Sequence, residues 1–204
     1  MKQTSAAVLM LLLVWLVVAC GGTDAAFTQG NEHFQRGQEI ALAANGLLQS
    51  GDEAKAQEDT TRAQAEFQQA IASYQEVLAK NPKSVSAMTN LGITYYTLGR
   101  LDEAIVQYQH ALELAPNDAD IHSNLAAAYV QSNRLDLALA EYQKAVELNP
   151  DLSQAHFGLG VVYLQMAETE SAVQAFEKFE ELDNGQDPTA SAEAAKYLKQ
   201  LKGE

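Results

Sequence analysis

Four histidines, one cysteine and 27 acidic residues are the groups in this 204-residue chain whose chemistry could do work. His33, His110, His122 and His156 could ligate a metal or move a proton. The acidic pairs Asp102/Glu103 and Glu180/Glu181 could supply an acid and a base. Cys20 could be a core thiol, a redox group or a point of covalent attachment. The spacings assemble none of these into a reacting centre. Adjacent carboxylates fall on different faces of a helix. Cys20 has no second cysteine to pair with, so disulfide and redox roles lack a partner. No glycine-rich phosphate loop, nucleophile elbow or metal-ligand spacing appears. The expectation is therefore no catalytic residue, no metal and no cofactor.

Composition sets the frame for the elements that hold these groups. Apolar residues make up 47% and aromatics 7%, with 12 glycines and 4 prolines. Such a chain, rich in alanine, leucine, glutamine and glutamate, favours helices joined by few turns. The net charge of −14 excludes nucleic acid as a partner, because phosphates need basic stripes. It equally disfavours an electrostatic grip on anionic lipid.

A step of 34 residues organises the chain. Pro82, Pro116 and Pro150 keep it, as do Ala70, Ala104, Ala138 and Ala172. So do Tyr74, Tyr108, Tyr142 and Phe176; Leu91, Leu125 and Leu159; and Tyr95, Tyr129 and Tyr163. Gly92, Ala126 and Gly160 follow the leucines. Segments such as MTNLGITYYTLGRLDEAIVQYQHALELAPND resemble the tetratricopeptide repeat, directly over residues 70 to 184 and more weakly from 27 onward. The resemblance implies an all-α fold, a right-handed solenoid of helix pairs with a concave groove lined by the first helix of each pair.

Full repeats are expected at 85–118, 119–152 and 153–186. The last departs from the pattern, with Asn184 in place of proline, Ala167 in place of the turn glycine and Phe179 at a small-residue position. Residues 187–204 read as a capping helix, with Asp187 as N-cap, Pro188 in the first turn and an apolar stripe of Ala194, Leu198 and Leu201. His122 and His156 occupy one repeat position, so about 8–10 Å of helix packing would separate them, too far to share a metal ion. His33 and His110 have no neighbour that the sequence reveals.

The first repeat, 27–84, is stretched. FTQGNEHFQRG at residues 27 to 37 reads as its first helix, and the alanine of its second helix, Ala70, lies 28 residues later than an unbroken repeat would place it. Two extensions of two heptads each would keep the facing sides in register. Ala56, Thr60, Ala63, Phe67, Ala70, Tyr74 and Val77 give one seam, and Phe34, Ile40, Ala41, Ala44, Leu47 and Leu48 the other. The reading is a helical hairpin with its tip at residues 50–52, reaching about 20 Å beyond the solenoid.

Transferred position by position, the groove comprises Ser86, Thr89, Ile93, Tyr96 and Thr97; Asp120, Ser123, Ala127, Val130 and Gln131; and Gln154, Phe157, Val161, Leu164 and Gln165. Only Asp120 among them is charged. That neutrality suits an extended peptide or an amphipathic helix from another protein. Some family members clamp a terminal carboxylate with basic residues and asparagines. Asn90 and Asn124 match the asparagine position, but Thr89, Gln154 and Gly158 stand where the charge would be needed.

Residues 1–19 open with Lys2 and carry an unbroken apolar run from Ala6 to Ala19, shorter than the ~20 residues that cross a bilayer. Three readings remain: cleavage after Ala19, an uncleaved membrane segment, or a lipoprotein signal. Val17-Val18-Ala19-Cys20 resembles a bacterial lipobox, with Val17 where leucine is usual. That resemblance implies a mature chain starting at a diacylglyceryl-modified Cys20, followed by a tether over residues 20–26. The expected protein is a scaffold or adaptor without enzymatic activity, lipid-anchored on the extracytoplasmic side of a bacterial envelope membrane. Self-association as a homo-oligomer, or a role as an accessory or ligand-sensing subunit of an envelope enzyme or transport complex, is compatible with the same sequence.

Overall fold

The computed structural model describes residues 25–203. Cys20, the lipobox and the apolar run lie outside the described residues. Among those described the chain forms nine helices and no strand: α1 (Ala25–Ser50), α2 (Glu53–Lys80), α3 (Val85–Thr97), α4 (Leu101–Leu114), α5 (Ala119–Gln131), α6 (Leu135–Leu148), α7 (Ser153–Gln165), α8 (Thr169–Asp183) and α9 (Pro188–Lys202).

Local chemistry explains where the helices start and stop. Ser84 and Asp118 accept hydrogen bonds from the backbone N–H of Ala87 and Ile121, and Asp52 and Asp187 cap α2 and α9 in the same way. The turn inside each pair needs one left-handed residue. Gly99, Asn133 and Ala167 fill that position in turn, with φ of 71°, 57° and 61°. A Cβ in that region costs roughly 1–2 kcal/mol, which glycine avoids and asparagine partly offsets. Ala167→Gly is therefore expected to stabilise the protein by about 1 kcal/mol, raising the thermal midpoint by roughly 2–4 °C. A melting curve that does not shift upward would contradict it.

The pairs stack around a main core that runs from Ala70 to Ala175. The alanines at the 34-residue step, Ala70, Ala104, Ala138 and Ala172, are all 0% exposed, so no larger side chain fits between paired helices. Hydrogen bonds repeat at the same step: Gln75, Gln109 and Gln143 donate to the hydroxyls of Tyr95, Tyr129 and Tyr163 at 3.3, 3.1 and 3.3 Å. Each ties a second helix to the first helix of the next pair. This is an all-α solenoid in which each pair contacts its neighbours.

The lengthened hairpin is present. α1 and α2 run 26 and 28 residues, about twice the length of the helices that follow, and Gly51 (φ 83°) turns the chain at the tip. Near the solenoid the seam is aromatic. A methyl on Gly37 would come within 2.7 Å of the Phe67 ring, so this glycine admits the ring rather than merely weakening α1. Farther out only Ala44, Ala56 and Ala63 are buried. The expected seam residue Leu48 is 54% exposed, because α1 turns the adjacent Leu47 inward at that level. The start of α1 also differs from expectation: Ala25 and Ala26 are helical rather than tether, and Ala26 packs with Val77 and Ala87.

At the other end α9 covers the last pair. Phe179 is 1% exposed and joins Phe176, Ala194 and Leu198 in a separate apolar cluster. Tyr197 stacks on Phe176 at 5.2 Å, and Asn184 adopts the left-handed conformation that ends α8.

Candidate peptide-binding groove

The inner surface is built from the first helix of each pair. α1 touches α3, α3 touches α5, and α5 touches α7, forming a row of four helices behind which the second helices stand. Within this row the buried faces carry leucines, alanines and tyrosines, and the groove positions alternate between half-buried and exposed. Thr97, Gln131 and Gln165 are exposed, while Ile93, Tyr96, Ala127 and Val130 are half-buried and pack on the main core. Asp120, exposed in the first turn of α5, is the one charged residue at an expected groove position, and desolvation, with Asp118 beside it, raises its pKa.

Polar groups in the middle of the groove fall into two classes. Asn90 is committed: its Nδ2 donates to Asn31 Oδ1 at 2.9 Å, and the Tyr74 hydroxyl donates to the same oxygen at 2.7 Å. Burial pushes the Tyr74 hydroxyl far above its ordinary pKa, so it remains a donor. Thr97 donates to Ile93 O in its own helix. The remaining groups have open valences. Thr89 Oγ1 is buried without a partner. Ser123 is 7% exposed and its hydroxyl makes no hydrogen bond, and the half-buried Asn124 carboxamide makes none either. Only Thr89 Oγ1 is closed off from water, where an unpaired polar atom costs roughly 1–3 kcal/mol; the Ser123 hydroxyl and the Asn124 carboxamide stay open to solvent and to an incoming donor or acceptor. At the Tyr96 hydroxyl burial raises the pKa, opposed by a hydrogen bond from Gln131 that favours the charged form.

The groove closes at α7. Phe157 meets Phe176 and Phe179 edge-on at 5.7 and 5.2 Å, and Val161 and Leu164 also pack against the cap cluster. These three expected groove residues face the last helices, which lie where a further repeat would stand. Their apolar surface holds the cap and forms the end wall of the groove. Gly158 is buried under the Tyr142 ring, a position that no charged residue could occupy.

Sequence reasoning missed Asn31 and the ion pair of the hairpin. His33 Nδ1 lies 2.7 Å from Glu66 Oε2, and Arg36 stands 3.2 Å from the same nitrogen. The His33 hydrogen bond is the main reason that the Glu66 pKa is lowered, aided by the Arg36 charge. In an unbroken repeat the 28 residues between them would be missing, so the period gives no hint of this pairing. His122 bridges Glu141 at 2.6 Å and the Pro116 carbonyl at 3.0 Å, and His156 reaches the Pro150 carbonyl at 2.9 Å. Both tie a helix to the loop before it. Among the described residues no group of three His, Cys, Asp or Glu could hold a metal ion.

Family models agree with this architecture. The model described as TPR repeat matches residues 59–99, 94–132 and 127–166, more than half of the chain, and the model described as tetratricopeptide repeat matches 153–186. The chain belongs to the tetratricopeptide-repeat family. Solved tetratricopeptide structures share the fold. MamA is 27% identical, over 71% of this chain and 92% of that one, with a TM-score of 0.57. The Sgt2 domain from Aspergillus fumigatus is also 27% identical, over 58% and 76%, with a TM-score of 0.54. The first such domain of Spaghetti (RPAP3), bound to the HSP90 peptide SRMEEVD, is 24% identical over 58% and 90%, again at 0.54. No curated protein sequence matches this chain. In this tetratricopeptide protein the family match begins at residue 59, so α1 and the start of α2 lie outside it.

Proposed function

We propose that this tetratricopeptide protein is a non-enzymatic scaffold that captures an extended segment of another protein in its inner groove, and that it works tethered to a membrane. The observation that carries the groove reading is the pair of polar side chains at Ser123 and Asn124, which make no hydrogen bond within the chain and stay open to solvent, flanked by Ile93, Tyr96, Ala127 and Val130. Unsatisfied donors and acceptors at half-buried positions suit the N–H and C=O groups of a peptide backbone. The apolar flanks suit its side chains, and a single charge, Asp120, leaves little for recognition by ion pairing. The similar domain of Spaghetti is bound to the HSP90 peptide SRMEEVD, and peptide capture is the use of the fold proposed here.

The tether reading rests on Val17-Val18-Ala19-Cys20, which resembles a lipobox, at the end of an apolar run too short to span a bilayer. Among the described residues no helix is long and apolar enough to cross a membrane. An acylated Cys20 would supply the anchor, on the extracytoplasmic face of a bacterial envelope membrane.

The test is a pull-down from membranes comparing the native chain with Asn124→Ala and with Thr97→Arg/Gln131→Arg. The second variant alters exposed positions and leaves the core alone. Retention of the co-purifying protein is expected to fall about tenfold in each, corresponding to roughly 1.4 kcal/mol of binding. An unchanged partner set, with native circular dichroism, would refute the groove. Mass spectrometry of the mature N-terminus tests the anchor separately, and an unmodified Cys20 would refute it.

A further inference from the structure

His156 lacks a partner that its counterpart in the preceding pair has. His122 lies against the Pro116 carbonyl through Nε2 at 3.0 Å and against the Glu141 carboxylate through Nδ1 at 2.6 Å. His156, 34 residues on, repeats the first contact with the Pro150 carbonyl at 2.9 Å. Ala175 holds the position equivalent to Glu141, and no carboxylate among the described residues meets the His156 Nδ1. The earlier pair at 85–118 has Met88 and Gln107 at the two positions, which need no ion pair. A cleft opens where the acid is missing. Leu159 and Tyr163 line it beside His156 on α7, and Ser171, Ala175 and Lys178 line it on α8, around a volume of about 280 Å³. Two shorter side chains make the room, Ser171 at the position of Leu137 and Ala175 at that of Glu141. Lys178 keeps the cation of Lys144, and its exposed ion pair with Glu181 at 3.0 Å holds it only weakly. Phe157, Val161 and Leu164 pack against the cap and take no part in the cleft, which is separate from the groove.

We propose that this cleft binds an aliphatic carboxylate, one oxygen of which takes the place that the Glu141 carboxylate fills one pair earlier and accepts from the His156 Nδ1. The chain supplies the precedent itself, since the equivalent ring already meets a carboxylate at that nitrogen. A carbonyl only accepts, so the Pro150 contact makes Nε2 a donor and leaves Nδ1 for the ligand. On the charged ring Nδ1–H donates to the incoming oxygen, a charge-assisted bond stronger than a neutral one. Lys178 adds a second cation in the same cleft. Buried Leu159 and Ala175 offer apolar contact to a short stem. That stem distinguishes the ligand from inorganic phosphate, which has none. A free short-chain acid and the side chain of a glutamate in another protein share this chemistry.

The test is NMR of the histidine rings in the purified full chain at about pH 6, where imidazoles readily carry charge. The probes are butyrate, n-butanol as its uncharged match, inorganic phosphate, and a capped Ala-Glu-Ala peptide. Butyrate is expected to shift the His156 ring saturably. The rings of exposed His110 and of His122, whose Nδ1 already meets Glu141, should stay unmoved. A175E puts a carboxylate back into the cleft and should weaken butyrate binding at least roughly tenfold. L137S together with E141A recreates both truncations one pair earlier, and there His122 should acquire the response of His156. Peptide binding as tight as that of butyrate assigns the site to a glutamate side chain, and exclusion of the peptide assigns it to a free acid. The proposal is overturned by a His156 shift that is absent, that never saturates, that butanol or phosphate reproduces, or that survives A175E. A His122 ring that stays silent in the double variant overturns it equally.

Discussion

Phe179→Ala is expected to cost about 3–5 kcal/mol of unfolding free energy, and to release α9 before any other helix. The side chain is 1% exposed, where the equivalent positions of the two preceding pairs carry Ala111 and Ala145. In those pairs alanine lets the next first helix approach closely. After the last pair only one helix follows, and the ring fills the space that a whole pair would have filled. Phe157 packs on it edge-on at 5.2 Å, and Ala194 and Leu198 of α9 close the other side. The cluster is small and separate from the main core, so little surrounding structure can collapse into the cavity. The expected consequence is a fall of roughly 10 °C in thermal midpoint for a protein of this size. Hydrogen exchange gives a sharper readout than melting. In a solenoid, stability is a sum over nearest neighbours. Amides of α9 should therefore lose protection by orders of magnitude while those of α2 and α3 keep theirs. A Leu201→Ala control, at a partly buried position on the same helix, should do much less. Uniform loss along the chain would mean that the cap is not an independent element, and unchanged exchange in α9 would mean that Phe179 does not hold it.

The parts of this fold that were legible in the sequence are those fixed by repetition. Ala70, Ala104, Ala138 and Ala172 recur at one step because paired helices leave no room there. Heptad arithmetic placed the hairpin because both arms had to lengthen together for Phe67 and Ala63 to keep facing α1. Legibility failed where a residue's surroundings are not repeated. Asn31 accepts from both Tyr74 and Asn90, while the equivalent positions of the later pairs, Ile93, Ala127 and Val161, are apolar, so no column of the repeat records the contact. His33 and Glu66 lie on opposite arms, and their pairing follows from the length of the insertion rather than from either residue type. Phe157, Val161 and Leu164 sit at groove positions, yet they turn to the cap because the row of first helices ends there. Leu48 left the seam for a geometric reason: α1 turns Leu47 inward at that level, and one residue along a helix is a rotation of about 100°.

The most demanding expectation concerns Gly158. A glycine in the middle of an α-helix costs about 1 kcal/mol relative to alanine, so Gly158→Ala should stabilise α7 if space were available. Here the sign is expected to invert, with a loss of about 1–3 kcal/mol from overpacking. The cause lies one pair earlier. Tyr74, Tyr108 and Phe176 each lay their ring on a glycine of their own pair, Gly30, Gly92 and Gly160, where an added methyl would come within 2.6 Å. In the remaining pair Ala126 occupies that place, 0% exposed, and its methyl leaves no such bed for the Tyr142 ring. The ring reaches across to α7 instead. A methyl on Gly158 would overlap Tyr142 Cζ and stand 2.5 Å from both its Cε1 and its hydroxyl oxygen. Asn90 and Asn124 hold the positions equivalent to Gly158, so the bed of the Tyr142 ring has been exchanged from its own pair, where Ala126 closes it, to the next, where Gly158 opens it. The exchange predicts a rescue. Ala126→Gly reopens the usual bed for Tyr142, and although it weakens α5 by about 1 kcal/mol alone, it should restore stability when combined with Gly158→Ala. The double-mutant cycle is expected to give a coupling of at least ~1 kcal/mol in the favourable direction. Strict additivity of the two changes would show that Tyr142 is held against Gly158 by something other than the methyl of Ala126.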